Sequence, residues 1–434
     1  MKVNKKKRWG NGTFGTKKSI GRTVPLTLSL AFILSGCGGY STPDVSETPR
    51  ELQQTVAIKG QADEYSLYYE QEYSLSLYEP ETGCYLGAYV LSNRDINFDI
   101  GKFDEMTGKE HAISVYNLNA GNQFPELWVI SCIAAKKTPY FVLLPPNEYN
   151  PYDYSFIDSL AESFGEFYIP MYVELYPIAG PSFNPKAYID FFQYARRRFK
   201  EKASNIAFVW AVDVKYVSES TRYYPGDVYV DWVGLHSIQP LFGDGYGADL
   251  FNEVDYFYYM YQKVKPIAIS EFAVSHFTNT DYIYKNHIAS DEIIRVYNKI
   301  INYYPRIKMI NYMDYDEKIN DLRKKSDYYT VTENDIALSA YKESISDNRF
   351  LSSIVLGDES QEVIQQMRSP FPAQKIGEYW YVSEYSFTYD LNTKGALGER
   401  LIDGRKYYNV NIFAKNARRD ITADEETRKL ILSG

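Results

Sequence analysis

Two glutamates, Glu174 and Glu271, each stand near the C-terminal end of a short apolar run, 171–177 and 265–273. A glycosidic oxygen leaves poorly until it is protonated, and an oxocarbenium-like transition state gains from a carboxylate held close beneath it. Two carboxyls about 5 to 5.5 Å apart therefore serve retaining hydrolysis of a glycosidic bond. In that chemistry Glu174 fits the acid/base and Glu271 the nucleophile. A carboxylate at a strand end can equally be a structural salt-bridge partner, so the spacing alone leaves both roles open. Trp210 closes another apolar run and is either a stacking surface for a sugar ring or a tryptophan packed at the rim. Asp213, just beyond it, suits a hydrogen bond to a hydroxyl as well as it suits a cap at the start of a loop. His276 lies five residues after Glu271, within reach of the same cleft, though a solvated loop histidine explains it more simply. Tyr176, beside Glu174, would line that cleft.

Such residues converge only if the runs that carry them are neighbours. Eight short apolar runs follow one another at 85–91, 112–118, 140–144, 171–177, 206–212, 231–238, 266–273 and 307–313. Each has the length and the Val, Ile and Phe content of a strand buried on both faces. Between them lie segments with helical spacing at 154–164, 185–202, 248–264 and 291–304. The clearest is 185–202, with Tyr188, Ile189, Phe192, Tyr194, Ala195 and Phe199 on one side and Arg196, Arg197, Lys200 and Lys202 largely on the other. Asn184-Pro185 at its start reads as an N-cap followed by a first-turn proline. Eight strand-helix units over this length predict an α/β fold, a (β/α)8 TIM barrel, whose active sites sit at the strand C-terminal ends. No Gly-x-Gly-x-x-Gly follows any run, which removes the support for a nucleotide-binding open sheet.

The chain has 434 residues and a net charge of -9 with its cations scattered, so it offers no basic stripe for nucleic acid. Its 43 tyrosines and 23 phenylalanines suit sugar-facing surfaces, although most single tyrosines are ordinary packing residues. The four histidines, His111, His236, His276 and His287, are dispersed without metal-ligand spacing, and neither a metal nor another cofactor is expected. The N-terminal lysines and arginine, followed by an apolar run at 24–34, read as a signal peptide. That run ends in Leu34-Ser35-Gly36-Cys37, which resembles the lipobox of bacterial lipoproteins and makes Cys37 the lipidated residue. The expected location is the outer face of a bacterial cell membrane. Cys84 and Cys132 then remain, and pairing between them stays open.

The expected organisation is a lipoprotein signal at 1–37, a tether and N-terminal extension at 38–82, the barrel at 83–350, and a small C-terminal β-rich module at 351–434. Within the module, 378–391 and 407–413 read as strands and Asp403-Gly404 as a turn. The stretch 64–78 is aromatic and polar without clear periodicity and carries no assignment.

Three runs resemble glycoside hydrolase family 26, the β-mannanase family. They are Asn205-Ile206-Ala207-Phe208-Val209-Trp210, the long motif Tyr223-Tyr224-Pro225-Gly226-Asp227-Val228-Tyr229-Val230-Asp231-Trp232-Val233-Gly234, and Lys265-Pro266-Ile267-Ala268-Ile269-Ser270-Glu271. The resemblance implies a (β/α)8 barrel, retaining hydrolysis of a β-linked polysaccharide, and Glu271 as nucleophile. It also implies that Tyr312, where relatives often carry tryptophan, offers an aromatic platform to a sugar. The chain differs where relatives place a histidine before the strand-four glutamate, since Val173 stands there. Ile238 occupies the usual tyrosine position of strand six, which leaves His236 to supply a polar contact. The expected function is a lipid-anchored extracellular glycosidase acting on a polysaccharide, or, as the alternative, a glycan-binding envelope protein on a degenerate barrel.

Overall fold

The computed structural model describes residues 63–145, 152–180, 184–278, 282–315, 327–356, 361–391, 398–402 and 404–434. The signal peptide, Cys37 and most of the tether lie outside them. The first described element is β1 (Asp63–Ser74). The eight apolar runs then form β2 (Cys84–Tyr89), β3 (Ile113–Asn119), β4 (Thr138–Leu144), β5 (Met171–Leu175), β6 (Ile206–Asp213), β7 (Trp232–Leu241), β8 (Ile267–Thr278) and, after the two-residue β9 (Ile283–Tyr284), β10 (Ile307–Met313). All eight are parallel in sequence order, and β10 closes the barrel by pairing with both β8 and β2. Helices α1 (Ile100–Thr107), α2 (Glu126–Ala134), α3 (Tyr154–Gly165), α4 (Pro185–Lys202), α5 (Leu250–Tyr261), α6 (Asn286–Tyr303) and α7 (Asp335–Ile345) lie in the connections, and a 3-10 segment, Val214–Tyr223, replaces the helix after β6. This is the (β/α)8 architecture that the eight runs predict. No described helix is long and apolar enough to cross a membrane.

Local sequence explains the elements. In α4 the Asn184 side chain accepts from the Ala187 N–H, Pro185 takes the first turn, and Tyr188, Phe191, Phe192, Ala195 and Phe199 are buried toward the barrel. Strand parity divides the core into two layers. Tyr85, Ile113, Val115, Tyr140, Val142, Tyr172, Ala207, Val209, Trp232, Ala268 and Met309 fill the barrel interior. The alternate residues, such as Phe208, Trp210, Val233 and Ile310, pack outward under the helices. Two glycines make room inside: a Cβ on Gly87 would lie 2.0 Å from Asn311 Oδ1, and one on Gly234 would lie 2.8 Å from Ser270 Oγ.

The N-terminal end of the barrel is closed by the segment between β1 and β2. Leu77 joins the interior core, and its carbonyl accepts from Trp232 Nε1 at 2.8 Å. Glu79 forms a fully buried ion pair with Arg306, 3.0 Å from Nε, while Arg306 Nη1 donates to the Gln262 carbonyl and its guanidinium lies 3.7 Å from the Tyr73 ring centre.

The C-terminal module contains β11 (Phe350–Leu351), which pairs with β2, and then β12 (Glu362–Arg368), β13 (Ala373–Ile376), β14 (Tyr379–Ser383), α8 (Glu384–Tyr389), β15 (Glu399–Ile402), β16 (Arg405–Asn409), α9 (Val410–Ala417), β17 (Asp420–Asp424) and β18 (Lys429–Ser433). Two expected strands are corrected here. The run 378–391 is a strand only to Ser383, whose side chain then caps α8, and 407–413 is a strand only to Asn409, which caps α9. In both cases a Ser or Asn side chain captures helical N–H groups, and that local bond outweighs the aromatic alternation. Gly404 turns between β15 and β16 at φ +77°; Asp403 lies outside the described residues. The unassigned stretch 64–78 supplies β1, which pairs with β12 and β13 antiparallel and with β18 parallel. Tyr65, Leu67 and Tyr69 face the module's own core beside Trp380, Val410 and Leu430.

Candidate functional site

Glu174 and Glu271 both point into the C-terminal half of the barrel, and the side chain between them is His236. Glu174 lies on β5, two residues above the interior Tyr172 and therefore of the same parity. Glu271 reaches the interior through an irregularity in β8: Leu235 pairs with Ile269, but His236 pairs with Glu271, so Ser270 is passed over. The insertion places Ser270 and Glu271 in succession on the inner side and returns Phe272 to the outer layer. His236 Nε2 donates to Glu174 Oε1 at 2.5 Å, and Nδ1 lies 3.1 Å from Glu271 Oε2. Tyr140 completes the cluster by donating its hydroxyl to Glu174 Oε2 at 2.6 Å. Both oxygens of Glu174 are thus engaged, and the side chain has 0% exposure, whereas Glu271 keeps 15%.

Burial alone would push the His236 imidazole down, but the two carboxylates facing it outweigh that penalty and hold it well above its ordinary value. The ring is therefore an imidazolium at neutral pH, donating to a carboxylate on each side. Burial and the neighbouring Glu174 likewise hold the Tyr140 phenol far above its usual range, so it acts as a donor. Beneath the cluster, Asn311 Nδ2 donates to the Ser270 carbonyl at 3.1 Å. At the rim, the buried Asp314 accepts from Asn93 Nδ2 at 2.5 Å and from the Val331 N–H at 2.7 Å. Burial raises the Asp314 carboxyl to about 7 against these hydrogen bonds.

The remaining sequence candidates do not converge on this cluster, and four are corrected. Trp210 is fully buried outside the barrel wall, against Tyr224, Phe257 and Tyr261. Tyr176, at φ +48°, turns outward and stacks on Phe191 at 5.2 Å. Tyr312 is buried between Phe272 and Tyr341 and donates to the Tyr329 carbonyl. None of the three offers a ring to a sugar: Trp210 and Tyr312 have the outward parity of their strands, and Tyr176 is carried outward by the left-handed turn that follows β5. Asp213 accepts from the Lys215 N–H at 2.8 Å, the capping role at the start of the 3-10 segment. His276 is neither in the cleft nor solvated; it is buried in the far extension of β8 beside Tyr284 and Tyr328. Cys84 and Cys132 are both buried free thiols. Tyr140 was not among the expected site residues; its signal is shared parity with the interior Val142, one strand from Glu174.

A closed parallel barrel with a carboxylate–imidazolium–carboxylate cluster in its C-terminal half is the class that the geometry defines. No family model matches the chain, and no curated protein sequence matches it. Solved structures do. A modular endo-β-1,4-mannanase of glycoside hydrolase family 26 from Cellulomonas fimi matches with a TM-score of 0.51 at 13% identity, over 77% of this chain and 94% of that one. A double mutant of the Cellulomonas fimi endo-β-1,4-mannanase also gives 0.51 at 13%, over 72% and 96%. At this identity the likeness is one of fold: the chain has a barrel of the kind those glycoside hydrolases use.

Proposed function

We propose that this chain is a glycan-binding protein built on a glycoside hydrolase barrel, tethered through Cys37 to the outer face of a bacterial membrane, and that it holds a β-linked polysaccharide at the strand C-terminal face without cleaving it. The observation that carries this reading is the position of His236. Retaining hydrolysis needs the scissile bond to lie between two accessible carboxyls, and here an imidazole ring lies between Glu174 and Glu271. Glu174, buried and bonded by both oxygens, is an anchor for that ring and has no path to a leaving oxygen. The shared fold supports polysaccharide as the ligand, although fold alone does not fix function. Retaining hydrolysis by Glu271 as nucleophile and Glu174 as acid/base is the second reading. It is favoured by the cost of burying three ionisable groups, which a pure scaffold would replace with apolar side chains, and it requires His236 to leave the gap.

The test is a panel of mannan, β-glucan, xylan and bacterial wall polysaccharide. Wild type is expected to bind at least one of them, to release no reducing sugar over long incubation, and to keep its binding in Glu174→Gln. Sugar release that disappears in Glu271→Ala would replace this reading with hydrolysis. Absence of binding to every polysaccharide would remove both readings. Radiolabelled fatty acid should label the full chain and not Cys37→Ala.

A further inference from the structure

Barrel strands usually end at the mouth, but β8 continues six residues beyond Glu271 to Phe277, a rise of about 20 Å, and there pairs antiparallel with β9, Phe277 opposite Tyr284. The resulting ledge is aromatic. Phe277, Tyr284 and Tyr328 form a closed triangle with ring centres 5.0 to 5.5 Å apart, and His276 packs beneath Tyr284 and Tyr328. Tyr282 packs at the edge of Phe277, 6.5 Å between centres.

Two properties distinguish this cluster from ordinary core. First, it is open: Tyr282 has 52% and Tyr284 51% of its surface exposed, and Phe242, on the adjoining turn after β7, has 63%. Second, it is fastened to the neighbouring turn. Tyr282 keeps a left-handed φ of +58°, a strained conformation for a bulky residue. Lys285 fastens the ledge to the β7 turn, donating to the Gly243 carbonyl at 2.6 Å and to Asp244 Oδ1 at 2.7 Å. That ion pair offsets the Asp244 charge, and the ledge presents ring faces and phenolic hydroxyls. Such a surface suits a neutral sugar, whose ring carbons stack on an aromatic face while its hydroxyls bond to polar tips.

We infer that the β8–β9 ledge, with Tyr282, Tyr284 and Phe242 as its exposed rings, is a distal subsite for a neutral β-linked glycan whose other end lies at the barrel mouth near Glu271. This rests on the glycan-binding reading and adds a length requirement to it: a long oligosaccharide reaches both places, and a disaccharide reaches only one.

Calorimetric titration with mannohexaose, cellohexaose and xylohexaose, and with the matching disaccharides, separates the possibilities. In Tyr282→Ala/Tyr284→Ala the affinity for the preferred hexasaccharide should fall about five- to tenfold, while the disaccharide affinity is unchanged and the melting temperature confirms an intact fold. Tyr284→Trp, which keeps an aromatic face, should retain hexasaccharide affinity. Equal hexasaccharide affinity in wild type and the double alanine variant would overturn the ledge while leaving glycan binding in place. Equal loss for both lengths would also overturn it, since that pattern marks a general disturbance of the mouth. If wild type binds none of the hexasaccharides, the ledge is overturned, and the glycan-binding reading fails with it when the bacterial wall polysaccharide also goes unbound.

Discussion

The two ends of one barrel each hold a buried charge cluster, and they are built from different chemistry. At the N-terminal end Glu79 meets Arg306, with Tyr73 and the Gln262 carbonyl completing the guanidinium's surroundings. The pair fixes the closing segment to the barrel floor. At the C-terminal end two carboxylates flank an imidazole whose proton they hold, and Glu271 keeps 15% of its side chain exposed. The difference separates a structural rivet from a site. Both clusters cost desolvation, but only the second keeps a titratable group where a ligand can affect it.

Four measurements test the difference between the two clusters. The largest effect is expected at the floor: Arg306→Met leaves Glu79 buried without its partner and should cost about 3 to 5 kcal/mol in urea denaturation. A loss below about 1 kcal/mol would mean that the floor pair is no rivet. Next comes Asp314 at the mouth rim, whose carboxyl is raised to about 7 when folded. Between its unfolded value near 4 and 7, the native state binds more protons than the unfolded chain, so its contribution weakens stability as pH rises. Asp314→Asn should remove that slope, worth as much as about 4 kcal/mol across the window, in melting scans from pH 4 to 7. Third, the layer between the two clusters is tightly filled, and Gly87→Ala should cost about 1 to 3 kcal/mol by overpacking against Asn311. Adding Asn311→Ala should restore part of that loss; no recovery would place the clash elsewhere.

The smallest effect on stability, about 1 kcal/mol, is expected for Glu174→Gln, because relief of carboxylate burial offsets the lost attraction. Its effect on titration should be large. The His236 value is raised in the folded state, so its stabilising contribution is complete below about pH 6.5 and fades as pH climbs through the folded value. Nuclear magnetic resonance titration should find the wild-type ring charged at neutral pH and the variant ring losing its proton at lower pH. If the ring titrates identically in both, the mouth cluster does not behave as described.

The barrel was legible because parallel strands buried on both faces leave continuous apolar runs. That same property hid which side each residue faces. In β6 every residue from Ile206 to Val212 is buried, so hydrophobicity cannot show that Trp210 points out and Ala211 in. Size could have shown it: Ala207, Val209 and Ala211 are the smaller set and line the narrow interior. Glu174 and Glu271 were legible as strand-end carboxylates, but the barrier between them was not. The inward turn of Glu271 depends on the irregularity at Ser270, whose only trace is that Ile269 and Phe272, both outward, stand three apart instead of two. The aromatic pattern of β1 was present in Tyr65, Leu67 and Tyr69, yet its partners lie at the other end of the chain, where no local signal reaches.

That last feature bears on how the molecule is made. A chain that leaves the ribosome or an export channel N-terminus first delivers β1 early and β12, β13 and β18 last, so the central strand of the module waits for the whole barrel to emerge between them. Until then it is an unpaired edge with three aromatic or aliphatic side chains on one face, the kind of strand that seeks a partner in another molecule. A chain broken off after the barrel would never supply one, so such products are expected to associate through β1.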